Sequence, residues 1–464
     1  MTMNFRDVRK GLGASVLLSV FAASAAGADV PPGWRGNGVG VFPDATPPTE
    51  WGPDKNILWK TPLPKWSNAS PILVKDKLFI CVEPATLVAL SPADGKILWE
   101  KPNTWSDILP PDEAETYKTE GEKARIISGK IRQAQDKFDK AARKRKANPG
   151  DDSLKQAQDA AKAELAKLRE ELAPVETYML PPSHDVNGYS SPTPTSDGKF
   201  VYVLFGTGTA ACYDLDGNRK WARIIERTKE GYGHCSSPLL LGGKLIVHIM
   251  NVSALDPQTG KTLWETPSGP RFGSPVPARA GDTDVIVTAN GDFLRASDGK
   301  MLAKKLCPLT YNAPVVAGGV AYFIQHGGQA FRLPAKAEEP FTPEKLWQTK
   351  PENDRYYDSP VHHDGLLYAM TQTGILSAID AKTGEVVYKQ NLGLGKGTGY
   401  PSPVLAGKSL FVSFDNGTTV VVEPGRQFKE VIRNTLPEGF RSTPLFAGSR
   451  IYIRGLKHLY CIGK

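Results

Sequence analysis

An eleven-residue pattern recurs along this chain and constrains its architecture more than anything else in it. Ala254–Trp264 reads ALDPQTGKTLW, Ala89–Trp99 reads ALSPADGKILW, Ala211–Trp221 reads ACYDLDGNRKW and Ala378–Tyr388 reads AIDAKTGEVVY. Each copy is a strand, a tight turn and a second strand. The turn glycine sits where a short hairpin demands positive φ, and β-branched or aromatic residues flank it. The closing Trp or Tyr is placed to pack its ring against a neighbouring unit.

A second landmark, Ser-Pro or a near equivalent ahead of an apolar strand, occurs at Ser70-Pro71, Ser191-Pro192, Ser237-Pro238, Ser274-Pro275, Ala313-Pro314, Ser359-Pro360, Ser402-Pro403 and Thr443-Pro444. From Pro192 onward the prolines are 46, 37, 39, 46, 43 and 41 residues apart. That period fits four short antiparallel strands per unit, and eight such units predict an eight-bladed β-propeller. The last unit ends without an outer strand, whereas Asn56–Lys60 (NILWK) has the outer-strand pattern and no inner strands before it. The two ends are therefore expected to complete one blade together, leaving no open strand edge.

With those residues in view, the A-x-D-x-x-T-G-K-x-x-W pattern resembles the tryptophan-docking repeats of pyrroloquinoline-quinone (PQQ)-like propellers. Trp34-Arg35-Gly36-Asn37 looks like the segment that often precedes them. The likeness runs from about residue 34 to 464 outside one insertion. It is strong in units one, two, three and six and degenerate in the other four, where Gly299-Lys300 and Leu346-Trp347 match in part. That superfamily holds quinoprotein alcohol dehydrogenases and a non-catalytic outer-membrane assembly lipoprotein. Among the former, the resemblance implies adjacent cysteines joined as a vicinal disulfide, a calcium site of carboxylate and amide oxygens, and an Asp base.

Residues 1–28 read as a secretory signal, with Arg6, Arg9 and Lys10 ahead of an apolar run ending in small residues. The run is shorter than the ~20 residues of a membrane-spanning helix. The expected product is soluble and exported, to the periplasm or beyond the cell, with no transmembrane segment after cleavage. No cysteine stands at the cleavage point to carry a lipid. Losing that stretch lowers the formal charge from +8 to +6, a modestly basic balance that names no polyanion. The five cysteines are scattered and odd in number, which argues against a disulfide framework, and none is adjacent to another.

Residues 29–55, rich in Pro and Gly, are expected to form an extended arm lying on the ring, and residues 56–464 the propeller. A helical-hairpin insertion is expected at 107–175, between blades one and two. From Asp112 to Leu172, 28 of 61 residues are charged. Tyr117, Ala124, Ile131 and Phe138 recur every seven, as do Leu154, Ala161 and Leu168, with Leu165 and Leu172 between and beyond. Asn148–Asp151 breaks the run, and Asp151 or Asp152 caps the second helix. The early part of the first helix is expected to lack a partner, and Gly121 and Gly129 to interrupt it. The basic run Arg143–Lys146 reads as a solvated helix end, and no nucleic-acid partner is expected.

In a four-stranded meander the blade-to-blade loops and the loops between second and third strands share one face. The third residue before each landmark proline falls there, near the axis: Asn68, Tyr189, Cys235, Phe272, Tyr311, Tyr357, Tyr400 and Arg441. With His234 and Arg355 beside them, Tyr189, Phe272, Tyr311, Tyr357, Tyr400 and Arg441 form the candidate ligand- or partner-binding set. Such a rim suits stacking of a planar or sugar ligand, and equally suits packing of adjacent blades. No catalytic or metal-ligating set is assigned: Asp292, Asp358, Asp415 and Asn416 supply oxygens but are ordinary loop residues. PQQ with calcium is thus a cofactor the resemblance allows and no motif supports. The reading is a monomeric ring acting as a non-catalytic binding or protein-assembly scaffold. A quinone-dependent dehydrogenase on the same face is the alternative, and a glycan-binding propeller a further one.

Overall fold

The computed structural model describes residues 32–36 and 38–464, so the signal-like stretch lies outside the described residues. Eight sheets, each built on a four-stranded antiparallel meander and one of them extended by a fifth, parallel strand, follow one another as an eight-bladed β-propeller. The first blade comprises Ile72–Val74, Lys77–Val82, Thr86–Leu90 and Ile97–Pro102. Second and third strands are almost wholly buried and supply the interblade core, whereas outer strands such as Ile97–Pro102 alternate half-buried and exposed residues. That is the period-two signature of a strand with one face in solvent. In every blade the third-to-fourth-strand pairing slips register by one residue, at Ala89/Leu90 in the first and Ala254/Leu255 in the third. A bulge of this kind sharpens the local twist and turns the outer strand across the adjacent blade.

The ring closes through its two ends. Ile57–Pro62 pairs antiparallel with His458–Ile462, placing Trp59 opposite Cys461, and so becomes the outer strand of blade eight. Trp59 then docks as its counterparts do, donating from Nε1 to the Pro92 carbonyl at 3.2 Å. Trp99, Trp221, Trp264 and Trp347 repeat the contact on Leu215, Pro257, Ala296 and Ala381. The turn glycine of the receiving blade carries this joint. Gly260 has φ +70°, and a Cβ there would lie 2.6 Å from the Trp221 ring, so both its conformation and its bareness are needed.

The arm does more than lie on the ring: it enters the axial channel. The Pro32 carbonyl accepts from Ser196 N in the inner strand of blade two. Trp34 packs against the core shared by blades four and five. Arg35, 1% exposed, donates to the carbonyls of Pro360 (2.8 Å) and Pro403 (3.0 Å) in blades six and seven. Val41–Phe42 then runs parallel to the inner strand of blade seven, and Trp51 stacks on Phe411. The arm therefore ties together five or more blades before it becomes the closing strand. Burial without a carboxylate in hydrogen-bond contact drops the Arg35 pKa to about 9, opposed by attraction to Asp358.

Three helices separate blades one and two: α1 (Trp105–Ile108), α2 (Pro111–Ala147) and α3 (Asp152–Leu172). Asp151 caps α3, accepting from Ser153 N and Leu154 N. Ala134, Leu165 and Leu168 form the buried seam, flanked by Ile127, Ile131 and Phe138. Two expectations for α2 fail. It runs unbroken through Gly121 and Gly129, and its early part is not partnerless. The Tyr117 ring meets Trp105 and Tyr178 edge-on at 5.0 Å each, and Gly121 lets the Tyr178 carbonyl approach where a Cβ would stand 2.9 Å from it. Gly121 thus exchanges helix propensity for a close contact with the returning chain.

Candidate axial site

The first strand of each blade begins on one face, and the residues preceding these strands converge on the axis as a cup. Its cavity of about 520 Å³ is lined by six of the eight candidate residues: Phe272, Tyr311, Arg355, Tyr357, Tyr400 and Arg441. The rings form an arc. Phe272 stacks on Tyr311 (6.1 Å), Tyr311 meets Tyr357 edge-on (4.8 Å), Tyr357 stacks on Tyr400 (5.0 Å), and the Arg441 guanidinium lies over Tyr400 (5.7 Å). Ring faces are largely taken up by neighbouring rings, as interblade packing requires. The cup accordingly has ring edges, phenol oxygens and guanidinium groups to offer rather than a row of open stacking platforms.

Tyr189 and His234 lie outside this lining. His234, 3% exposed, bonds through Nε2 to the Ser236 carbonyl, and burial next to His248 pushes its pKa down to about 3. It is a neutral core residue. Tyr189 turns away, its hydroxyl donating to the Pro181 carbonyl and its backbone N–H to the Glu83 carboxylate. The cause is a displaced landmark in blade two. In the sequence YSSPTPT, Ser191-Pro192 resembles the repeat, but Thr193-Pro194 occupies its place in the structure. Ser70 N donates to Thr193 Oγ1, and Thr193 N to Ser237 Oγ. The third residue before Pro194 is Ser191, and Ser191 does line the cup.

Those two bonds belong to a belt that sequence reasoning missed. Ser237 N donates to Ser274 Oγ, Ala313 N to Ser359 Oγ, Ser359 N to Ser402 Oγ and Ser402 N to Thr443 Oγ1, all at 2.9–3.0 Å. The hydroxyl residue before each landmark proline is thus a blade-to-blade clasp. The recurrence of Ser or Thr there, with Ala313 the exception, was the available signal. Trp34 of the arm also lines the cup.

The remaining wall comes from the segment between the hairpin and blade two, which places His184, Val186 and Asn187 at the cup. Asn68 Nδ2 donates to the Val186 carbonyl at 2.6 Å, Arg441 Nη1 to the same carbonyl at 3.3 Å, and Asn187 Nδ2 to the Tyr232 carbonyl at 2.8 Å. Arg227 clamps the hairpin base to blade two through Thr177 Oγ1 at 2.9 Å and lies over the Trp105 ring.

A calcium-anchored quinone would require carboxylate oxygens converging here, and the donor set does not fit. Asp292 accepts from Ser268 Oγ and Lys305 N, Asp358 is buried and accepts from Met370 N, and Asp415 accepts from Thr398 N. None of the three lines the cup. Asn416 is engaged with its own turn through Thr418 N.

Fold and repeat together are those of a PQQ-like β-propeller. The family model described as outer membrane protein assembly factor BamB matches residues 249–350, 335–423 and 372–461. The chain is 26% identical over 259 residues to the outer membrane protein assembly factor BamB of Yersinia pestis, a match spanning 49% of this chain and 64% of that relative. Among solved structures, BamB from Moraxella catarrhalis superposes with a TM-score of 0.55 at 12% identity, covering 88% of this chain and 97% of that one. A europium-containing methanol dehydrogenase superposes with a TM-score of 0.54 at 11% identity, over 88% of this chain and 76% of the other. The chain therefore resembles an assembly factor in sequence, and assembly factor and dehydrogenase alike in fold. No helix among the described residues is long and apolar enough to cross a membrane.

Proposed function

We propose that this chain is an exported, non-catalytic binding or protein-assembly scaffold whose working surface is the axial cup together with the helical hairpin. The observation that carries this reading is the composite wall of the cup. Asn68 and Arg441 from the ring hold Val186 of the segment that leads from the hairpin back to blade two, so the cup and the hairpin are joined through that segment. The sequence match to an assembly factor supports the same reading, while the fold alone does not choose between scaffold and enzyme. The test is quantitative capture from envelope extract, comparing the full chain, a variant lacking α2 and α3, and Tyr357→Ala/Tyr400→Ala. The expected result is one identified set of proteins held by the full chain and lost from both variants. Retention by both variants overturns the reading. So does alcohol-dependent dye reduction after loading with PQQ and calcium, which favours the dehydrogenase.

A further inference from the structure

Within that scaffold reading, on which this inference rests, the chemistry of the cup selects a class of partner. Its lining includes Arg355 and Arg441 and neither Asp nor Glu. Arg355 is exposed, with Nη1 donating to the Tyr357 hydroxyl at 3.2 Å, and Arg441 donates to a backbone carbonyl. Among the described residues neither guanidinium is in a salt bridge, although ion pairs are common elsewhere on this surface.

The belt adds neutral donors of the same polarity. The oxygens of Thr193, Ser237, Ser274, Ser359, Ser402 and Thr443 accept backbone N–H groups, so each hydroxyl hydrogen must point away from that donor. All six residues line the cavity. A hydroxyl carries one hydrogen and two lone pairs, and here one lone pair is committed to a backbone N–H, leaving the hydrogen to be directed elsewhere. Phe272, Tyr311, Tyr357 and Tyr400 line the same cavity, and the edges of their rings carry the positive part of the ring quadrupole. The cup thus carries two cations and a ring of hydroxyls and no carboxylate, with the unpaired Asn68 Oδ1 and Asn312 Oδ1 as neutral acceptors among them and Trp34 in its lining.

We propose that the cup binds the carboxylate side chains of an acidic protein segment, inserted from the open face. Paired, partly desolvated Arg–carboxylate bonds would supply strength, and the hydroxyl belt would take the remaining carboxylate lone pairs. A protein segment is favoured over a small anion because the arginines sit on separate blades, six and eight, with Tyr357 and Tyr400 between them. Carboxylates spaced along a chain can meet both.

The test uses the full chain and a fluorescein-labelled deca-glutamate peptide, followed by anisotropy, with deca-glutamine as the neutral control and citrate as competitor. Deca-glutamate is expected to bind, deca-glutamine not, and binding is expected to weaken with salt. Arg355→Gln/Arg441→Gln should weaken it roughly tenfold or more. Lys261→Gln/Lys382→Gln, exposed in turns between third and fourth strands on the face away from the cup, should leave it unchanged, which separates the cup from the general charge of the protein. Equal binding by the cup and outer-turn variants, or no binding by the full chain, overturns the proposal. So does citrate binding tighter than the peptide, which makes the site one for a small anion. If deca-glutamate fails yet the Tyr357→Ala/Tyr400→Ala variant still loses its envelope partners, the scaffold reading stands and the acidic-segment inference falls alone.

Discussion

The ring and the hairpin solve the same problem, burying apolar surface, in opposite ways. Each blade lies between two others, so residues such as Leu78, Ile80, Leu459 and Cys461 are fully buried in a core shared by the first and last blades. The hairpin has two helices and one seam, in which Ala134, Leu165 and Leu168 are buried while Ile126 remains 49% exposed. Closure makes the ring's stability collective, whereas the hairpin is held by a narrow seam and by its base. A closed array must fail as a whole when an end is removed, and an appended hairpin can be lost with little cost to what carries it.

Removing residues 32–62 is the most severe way to attack this contrast, since it withdraws both the arm and the outer strand of blade eight. The ring is expected not to fold, giving aggregated or protease-sensitive material; a soluble truncation with an unchanged melt would show that closure is not collective. A subtler break is Gly260→Val, which forces a β-branched residue to positive φ against the Trp221 ring. We expect a loss of roughly 2–4 kcal/mol by chemical denaturation, near the upper end for single substitutions.

Acid should separate the two regions next. His234 and His248 are buried neutral in the ring, with pKa values pushed down by burial to about 3 and about 4. Their folded values lie below the unfolded value near 6.5, so the unfolded chain takes up protons first as pH falls. Their contribution is complete above about pH 6.5 and is lost progressively toward pH 4. The ring's melting temperature should drop across that window, and His248→Gln should flatten the slope while lowering the melt at neutral pH.

Replacing Pro111–Leu172 by a Gly/Ser linker sharpens the comparison from the other side. The ring is expected to melt within a few degrees of the full chain, as judged by near-ultraviolet circular dichroism, because every blade is complete without the helices. An unfolded ring would instead make the hairpin part of the fold. The smallest effect is expected from Leu165→Ala, which should loosen the seam by about 2 kcal/mol locally. Faster amide exchange in α3, with no change in the main melt, is the expected signature.

Eight blades, antiparallel meanders, closure by Ile57–Lys60 and a heptad-bearing insertion were all legible in the sequence, because each is written in short-range signals. A turn glycine, a Trp four residues later and an apolar residue every seventh position report on geometry within a few residues of themselves. Phe272, Tyr311, Tyr357, Tyr400 and Arg441 reach the cup for the same reason, since a repeat carries its equivalent positions to equivalent places, and Arg355 lies two residues ahead of one of them. The exceptions are non-local. Glu83 in blade one accepts from Tyr189 and Ser190 and draws the chain aside, so the clasp shifts two residues to Thr193-Pro194 and Tyr189 leaves the axis. Gly121 and Gly129 sit in an unbroken helix, and at Gly121 the reason is a contact with a carbonyl 57 residues away in sequence, at Tyr178.

The path of the arm was the least accessible part. A Pro- and Gly-rich stretch has no periodicity, and its place is set by what it meets: the Pro360 and Pro403 carbonyls that take up the Arg35 guanidinium, and the strand edge that takes up Val41–Phe42. The sequence by itself determined the repeat, its number and its joints, because those are properties of neighbouring residues. Only the tertiary structure decided that the arm runs along the inner strands, that Trp34 lines the cup, and that the segment between the hairpin and blade two supplies a wall. A buried guanidinium and a vacant strand edge are satisfied by partners hundreds of residues away, brought within 3 Å only once the ring has closed.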